Sequence, residues 1–186
     1  MKTFDETFSA DFYRGTGKAW GGITLKFLYK YRNNPLIYVF YMRLYQSMKN
    51  KYVRRLLHCA LLHYALKFGF EISFNANIGK GVRLPHYAGG IVIHPNVVIG
   101  ENVEIMQGVT IGNNIMKDRY AVAKVGSNVI LSSGCKIIGA VNIGDNVIIG
   151  ANAVVTHDIP SNCIVAGVPA RIIKDNVVPV IINCDY

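Results

Sequence analysis

Aliphatic side chains recur every six residues through most of this chain. Ile72, Ile78 and Leu84 share one phase. Ile93, Ile99, Ile105 and Ile111 share a second, and Val125, Leu131, Ile137, Ile143, Ile149 and Val155 a third. Strands of an ordinary sandwich have no reason to keep a six-residue phase over thirteen positions. A solenoid does: each hexad is one short strand and one corner, with the aliphatic turned to the axis and neighbouring coils stacked into a continuous core. Gly often follows the aliphatic, as at Gly79, Gly100, Gly112, Gly126, Gly144 and Gly150. With Asp145-Asn146 and similar pairs, these residues suit tight corners and left-handed backbone. The expected fold class is mainly β: a parallel β-helix of six-residue repeats behind an N-terminal α-helical region.

The phase breaks twice. Three extra residues fall in Pro85–Gly90 and eight in Asn113–Lys124. A solenoid accepts insertions as loops leaving a corner, and such loops often build the binding site.

Residues 1–70 have another period. Leu36, Val39, Phe40, Arg43 and Leu44 combine helical spacing with a basic residue. Leu56, Ala60, Leu61, Tyr64, Ala65 and Phe68 recur at three and four, as one apolar helix face does. Asn33-Asn34-Pro35 reads as a helix start with Pro in the first turn, and Gly69 as a stop. The division is therefore a basic helical region 1–70, a β-helix 71–174 and a tail 175–186, apolar from Val177 to Ile182. The formal charge of +9 resides wholly in residues 1–70, with twelve Lys and Arg against three Asp and Glu; residues 71–186 carry eight of each. A basic, aromatic stretch fits an anionic surface such as headgroups or a charged glycan, or simply a solvated helix face. No nucleic-acid motif accompanies it.

Cys59, Cys135, Cys163 and Cys184 form no C-x-x-C pair and no His/Cys metal spacing, and are expected as reduced thiols. Met1–Ala10 carries Asp5 and Glu6 without an apolar run. The longest apolar stretches fall short of the ~20 residues a spanning helix needs. The expected location is cytoplasmic, with peripheral contact at the inner membrane face as the alternative to free solution.

Three stretches resemble the hexapeptide-repeat acyltransferases, in the branch of the serine acetyltransferases and their glycan-modifying relatives. They are Ile78-Gly79-Lys80-Gly81-Val82-Arg83-Leu84-Pro85-His86 with Gly89-Gly90-Ile91-Val92-Ile93, the hexads from Ile99 to Ile111, and the closing Ala166-Gly167-Val168-Pro169-Ala170-Arg171-Ile172-Ile173-Lys174. The resemblance implies a left-handed β-helix, against the usual right-handed crossover, and a homotrimer with sites between subunits. It also implies an acetyl-CoA-dependent O-acetyltransferase in which His86 matches the catalytic histidine. A hydroxyl is a poor nucleophile at neutral pH, and an imidazole can take its proton and return it. Fifteen residues earlier, Glu71 stands where the family places an acid that orients this ring; the serine enzymes have Asp there. By the same resemblance Ser133, Ala151, Ala166 and Gly167 line the pantetheine arm of acetyl-CoA, and Arg171 and Lys174 meet its phosphates. No metal is required, since a base and backbone donors to the oxyanion suffice. His94 is either a contact to acceptor or cofactor or an exposed corner residue.

The match to the serine enzymes has gaps. They carry Asp just before the catalytic histidine, where this chain has Pro85. They carry a second histidine after Asp-Arg in the long loop, where Tyr120 follows Asp118-Arg119. Arg119 and Tyr120 remain candidate substrate contacts. Half the charge set for an amino-acid zwitterion is missing. The Leu-Pro-His-x-x-Gly-Gly variant is closer to acetyltransferases of capsule, exopolysaccharide or O-antigen pathways. The leading expectation is thus O-acetylation of a cell-surface glycan or its precursor. Serine O-acetylation and a catalytically silent scaffold that binds a membrane or partner are the alternatives. Lys51, Arg54 and Arg55 beside Tyr52 and Leu56 either lie against headgroups, or the helices cap the end coil, whose edge is unpaired, and bind one another across the trimer.

Overall fold

The computed structural model describes residues 3–87 and 89–176. Most of the tail, including the apolar run from Val177 to Ile182, and Cys184 lie outside the described residues.

Four helices come first: α1 (Phe4–Thr16), α2 (Leu25–Tyr31), α3 (Leu36–Ser47) and α4 (Lys51–Phe68). Thr3 and Glu6 close a capping box at α1, and Asn50 Oδ1 accepts from the Tyr52 and Val53 amides at α4. Gly69 ends α4 in the left-handed conformation, as its sequence position suggests. Pro35 is the N-cap of α3 and lies one residue ahead of the expected first turn.

The strands follow in coils. They are β1 (Glu71–Ile72), β2 (Asn77–Ile78), β3 (Val92–Ile93), β4 (Val98–Ile99), β5 (Glu104–Ile105), β6 (Thr110–Gly112), β7 (Lys124–Val125), β8 (Ile130–Leu131), β9 (Lys136–Ile138), β10 (Asn142–Ile143), β11 (Ile148–Ile149), β12 (Val154–Val155), β13 (Cys163–Ala166) and β14 (Arg171–Asp175). They form a left-handed parallel β-helix with three faces. The first sheet is β1-β3-β6-β9-β12, the second β2-β4-β7-β10 and the third β5-β8-β11-β13, closed by the antiparallel β14.

All thirteen in-phase aliphatics are buried. So is the residue two positions before each one, among them Phe70, Val97, Val103, Ala123, Val129, Cys135 and Ala153. Each hexad therefore contributes two inward side chains. Burial at one such position pushes the Cys135 thiol up to about 12 and keeps it protonated. The corners explain the glycines. A Cβ on Gly100 would stand 2.6 Å from the Gly126 carbonyl carbon, because coils meet there backbone to backbone. At the next corner position Asn102, Asn128, Asn146 and Asn162 hold positive φ between 56° and 63°. Their amides form a ladder down the prism, with bonds of 3.2, 3.1 and 2.7 Å.

The first coil has no preceding coil to satisfy its outer backbone groups, and side chains of α1 and α3 take that role. Tyr38 Oη donates to Ile72 O at 2.9 Å, and Gln46 Nε2 to Phe74 O and Ala76 O at 3.1 and 3.2 Å. Arg43 donates to Ile78 O and Gly79 O at 2.7 and 2.6 Å, and Asp11 Oδ1 accepts from the Val82 amide at 2.9 Å. Arg43 also pairs with Asp11 at 2.8 Å, both buried. Beside them Arg14 Nη1 donates to Asn102 O, and Arg83 meets the buried Glu104 at 2.9 Å. Burial pushes the Asp11 carboxyl above its usual range, and Arg43 pulls it back. Arg43, the basic residue within the helical spacing of α3, is thus a buried clamp.

One expectation for α4 fails. Leu56 is 74% exposed, and Leu57 takes its place beside Leu61, Ala65 and Phe68 on the buried side. The sets starting at 56 and at 57 both keep spacings of three and four, and only the docking of α4 on α3 chooses between them.

Truncating one partner of the buried pair strands the other charge. Arg43→Ala should lower the unfolding free energy by about 3–5 kcal/mol in urea denaturation. A loss below about 1 kcal/mol would show that the clamp does not hold the cap.

Candidate active site

Five of the eleven candidate residues, His86, Ser133, Ala151, Ala166 and Gly167, gather at one edge of the prism, between the third and first sheets. The backbone turns that corner once per coil, and the coils are stitched there by Gly108 N to Gly89 O at 2.6 Å, Gly134 N to Gln107 O at 2.8 Å and Asn152 N to Ser133 O at 2.9 Å. The loop 85–90, with His86 exposed on it, leaves at the top of this edge. Ser133, Ala151, Ala166 and Gly167 follow below it, in the coils ending with β8, β11 and β13. Four coil steps of about 4.8 Å separate the loop from Gly167, on the order of 19 Å in all. Ala151 and Gly167 are exposed, and Ser133 and Ala166 half-buried. The edge is thus a shallow track of small side chains and backbone that an extended, amide-bearing chain can approach closely. Ser133 Oγ donates to Gln107 Oε1 at 3.0 Å, which places Gln107 on the same track. Arg171 and Lys174 are exposed on β14, beyond the lower end.

The His86 loop is anchored by the end of α4. Gly89 N donates to Phe68 O at 2.9 Å, and Gly89 packs against the Phe70 ring too closely for any Cβ. Glu71, on β1, has its amide bonded to Ile91 O at the far end of this loop, at 2.8 Å. The Glu71 side chain is exposed and lines a groove of about 540 Å³ between α4 and the first sheet. Leu62, Phe70 and Phe74 form its apolar wall, and Ser73, His94 and Asn113 join Glu71 as its polar groups. Among the described residues no hydrogen bond or ion pair joins Glu71 to His86. His94 is half-buried and its Nδ1 accepts from the Asn96 amide at 3.2 Å, so the ring stands over its own turn with its other nitrogen available.

Arg119 and Tyr120 lie elsewhere. The loop 113–123 leaves at the corner between the first and second sheets, across the first sheet from the His86 edge. Asp118 Oδ1 accepts from the Tyr120 amide at 2.8 Å, and Asn113 Nδ2 donates to Arg119 O. Ile115, Met116 and Tyr120 are exposed at 70%, 94% and 75%. One chain alone does not bring this loop to His86.

The family described as bacterial transferase hexapeptide (six repeats) matches residues 123–157. A serine acetyltransferase of Staphylococcus aureus (strain N315) is 40% identical over 108 residues, which is 58% of this chain and 50% of that protein. Among solved structures, a serine acetyltransferase in complex with CoA is 28% identical at TM-score 0.66, covering 91% of this chain and 68% of the other. The Neisseria gonorrhoeae serine acetyltransferase in complex with serine is 27% identical at TM-score 0.67, covering 92% and 69%. The chain shares the fold of the solved serine acetyltransferases, and its residues 123–157 match the hexapeptide-repeat model. It spans about half the length of the curated relatives it matches.

Within that fold the departures from the serine pattern have definite places. Pro85 sits at the root of the His86 loop, half-buried, where its ring stiffens the chain but offers no charge. Tyr120 sits at the exposed tip of the long loop. Ser73, Gln107 and Asn113 were not singled out from the sequence. Gln107 was accessible there, because it lies two residues after Ile105, the same offset as Ser133 from Leu131. Ser73 and Asn113 were not, since their groove exists only where α4 crosses the first sheet.

A bulky side chain on the small-residue track should block an extended ligand without touching the core. Ala151→Trp is expected to raise the KM for acetyl-CoA at least tenfold and leave the melting temperature within about 2 °C. An unchanged KM would remove the track from consideration.

Proposed function

We propose that this chain transfers an acetyl group from acetyl-CoA to a hydroxyl. The carrying observation is that the His86 loop and the Ala166-Gly167 closure lie on one edge of the prism, joined by a track of small residues. In this reading the pantetheine arm lies along Ser133, Ala151, Ala166 and Gly167, with Arg171 and Lys174 toward the phosphates. His86 takes the proton of the acceptor hydroxyl as its oxygen attacks the thioester carbonyl. Backbone N–H groups of the corner stabilise the oxyanion. The carbon–sulfur bond then breaks, and the CoA thiolate recovers the proton from the imidazolium. Glu71 steadies the His86 ring in the closed site, a role supported by its place beside the loop's far end.

A homotrimer is part of this reading. Arg119 and Tyr120 stand across the first sheet from His86 on a loop with an exposed apolar tip. A neighbouring subunit is what would bring such a loop to the catalytic edge.

Two acceptor classes remain in play, each with its own support. L-serine is favoured by the relatives, which are named serine acetyltransferases, one of them solved with serine. A glycan hydroxyl is favoured by the side chains. Pro85 and Tyr120 replace charged or titratable partners, and the groove beside Glu71 holds one carboxylate and no Lys or Arg.

Thiol release from acetyl-CoA tests both levels. His86→Ala should lower kcat by about 10²–10⁴-fold with the fold intact by circular dichroism; full activity in that variant would reject the mechanism. Release that rises with L-serine assigns the first acceptor. Release that ignores serine and rises with cell-surface glycan precursors assigns the second. No turnover with either would favour the silent scaffold.

A further inference from the structure

The outer face of α4 is apolar, although the helix already buries its opposite side. Tyr52, Leu56, Cys59, His63 and Leu66 follow one another at spacings of four, three, four and three, and Leu62 lies alongside. Tyr52, Leu56 and Leu66 are 70%, 74% and 76% exposed. Cations flank this stripe. Lys49, Lys51, Arg54, Arg55 and His58 line an open cleft with Tyr45 at its N-terminal end, and Lys67 is exposed at the other. Residues 12–70 contain no Asp or Glu. The structure removes two cations from this excess, since Arg14 and Arg43 are buried in the cap. The nine others in that span stay at the surface or, like Arg54, half-buried over the Tyr45 ring.

We propose that α4 docks on an anionic lipid bilayer, with Tyr52, Leu56 and Leu66 entering the interface and Lys51, Arg54, Arg55 and Lys67 meeting the headgroups. An exposed stripe of large apolar side chains bordered by cations is the pattern of a helix lying in the membrane plane. Charge selects this occupant over a second copy of the same face. Packing α4 against itself would bury its cations with no acid on either side to pair them. A bilayer supplies the anions and accepts the apolar stripe together. No helix among the described residues is long and apolar enough to cross a membrane, so the contact is peripheral.

The test is co-sedimentation of the full chain with vesicles of phosphatidylcholine alone and of an equimolar phosphatidylcholine–phosphatidylglycerol mixture. Wild type should partition to the mixed vesicles and not to the neutral ones, and raising the salt should release it. Lys51→Glu with Arg55→Glu should weaken the partition more than about tenfold, as should Leu56→Asp with Leu66→Asp. His86→Ala should bind as wild type, which separates this inference from the catalytic one. Free inorganic phosphate at matched ionic strength should not displace the protein. Failure of wild type to bind mixed vesicles, equal binding to neutral ones, or displacement by phosphate would each overturn the proposal. So would a drop in oligomeric size by light scattering for Leu56→Asp with Leu66→Asp, which would make this face a contact between copies.

Discussion

The free edge of the first coil is the constraint around which the rest of this molecule is arranged. Each inner coil of a parallel β-helix satisfies its backbone from the coils on either side, but the first has a neighbour on one side only. Here the missing partners are the Tyr38 hydroxyl, the Gln46 amide, the Arg43 guanidinium and the Asp11 carboxylate. A charged pair buried with little other support would be costly. Arg43 and Asp11 escape most of that cost because each also completes hydrogen bonds that the coil needs.

That cap has consequences for chemistry. It fixes α4 against the first sheet, so the end of α4 reaches the loop carrying His86 and ties it down through Phe68 O and Gly89 N. It also creates the groove in which Glu71, Ser73 and His94 meet. The helices are therefore a wall of the candidate site as well as a lid on the solenoid. They leave the outer side of α4 uncovered, and the exposed apolar stripe there follows from the same docking.

Much of the β-helix was legible before any coordinates. A six-residue phase leaves few alternatives, and inward aliphatics such as Ile111, Leu131 and Ile149 are all buried. The two phase breaks correctly marked the loops. The helical region was less legible because its signals are degenerate. Leu56 and Leu57 fit the same spacing, and nothing local to Arg43 distinguishes a surface cation from a clamp on two carbonyls thirty-five residues away.

The sequence by itself determined the repeat, the corners, the loop that bears His86 and the small residues two positions after Leu131, Ile149 and Val165. These depend on local spacing and on glycine and asparagine backbone preferences. Tertiary structure alone decided that His86 and the Ala166-Gly167 closure share an edge, that Arg119 and Tyr120 lie across a sheet from them, and which cations are buried. Those outcomes depend on how coils register and how α1, α3 and α4 dock. Both are set by pairing backbone groups and charges far apart in the chain, which no local pattern encodes.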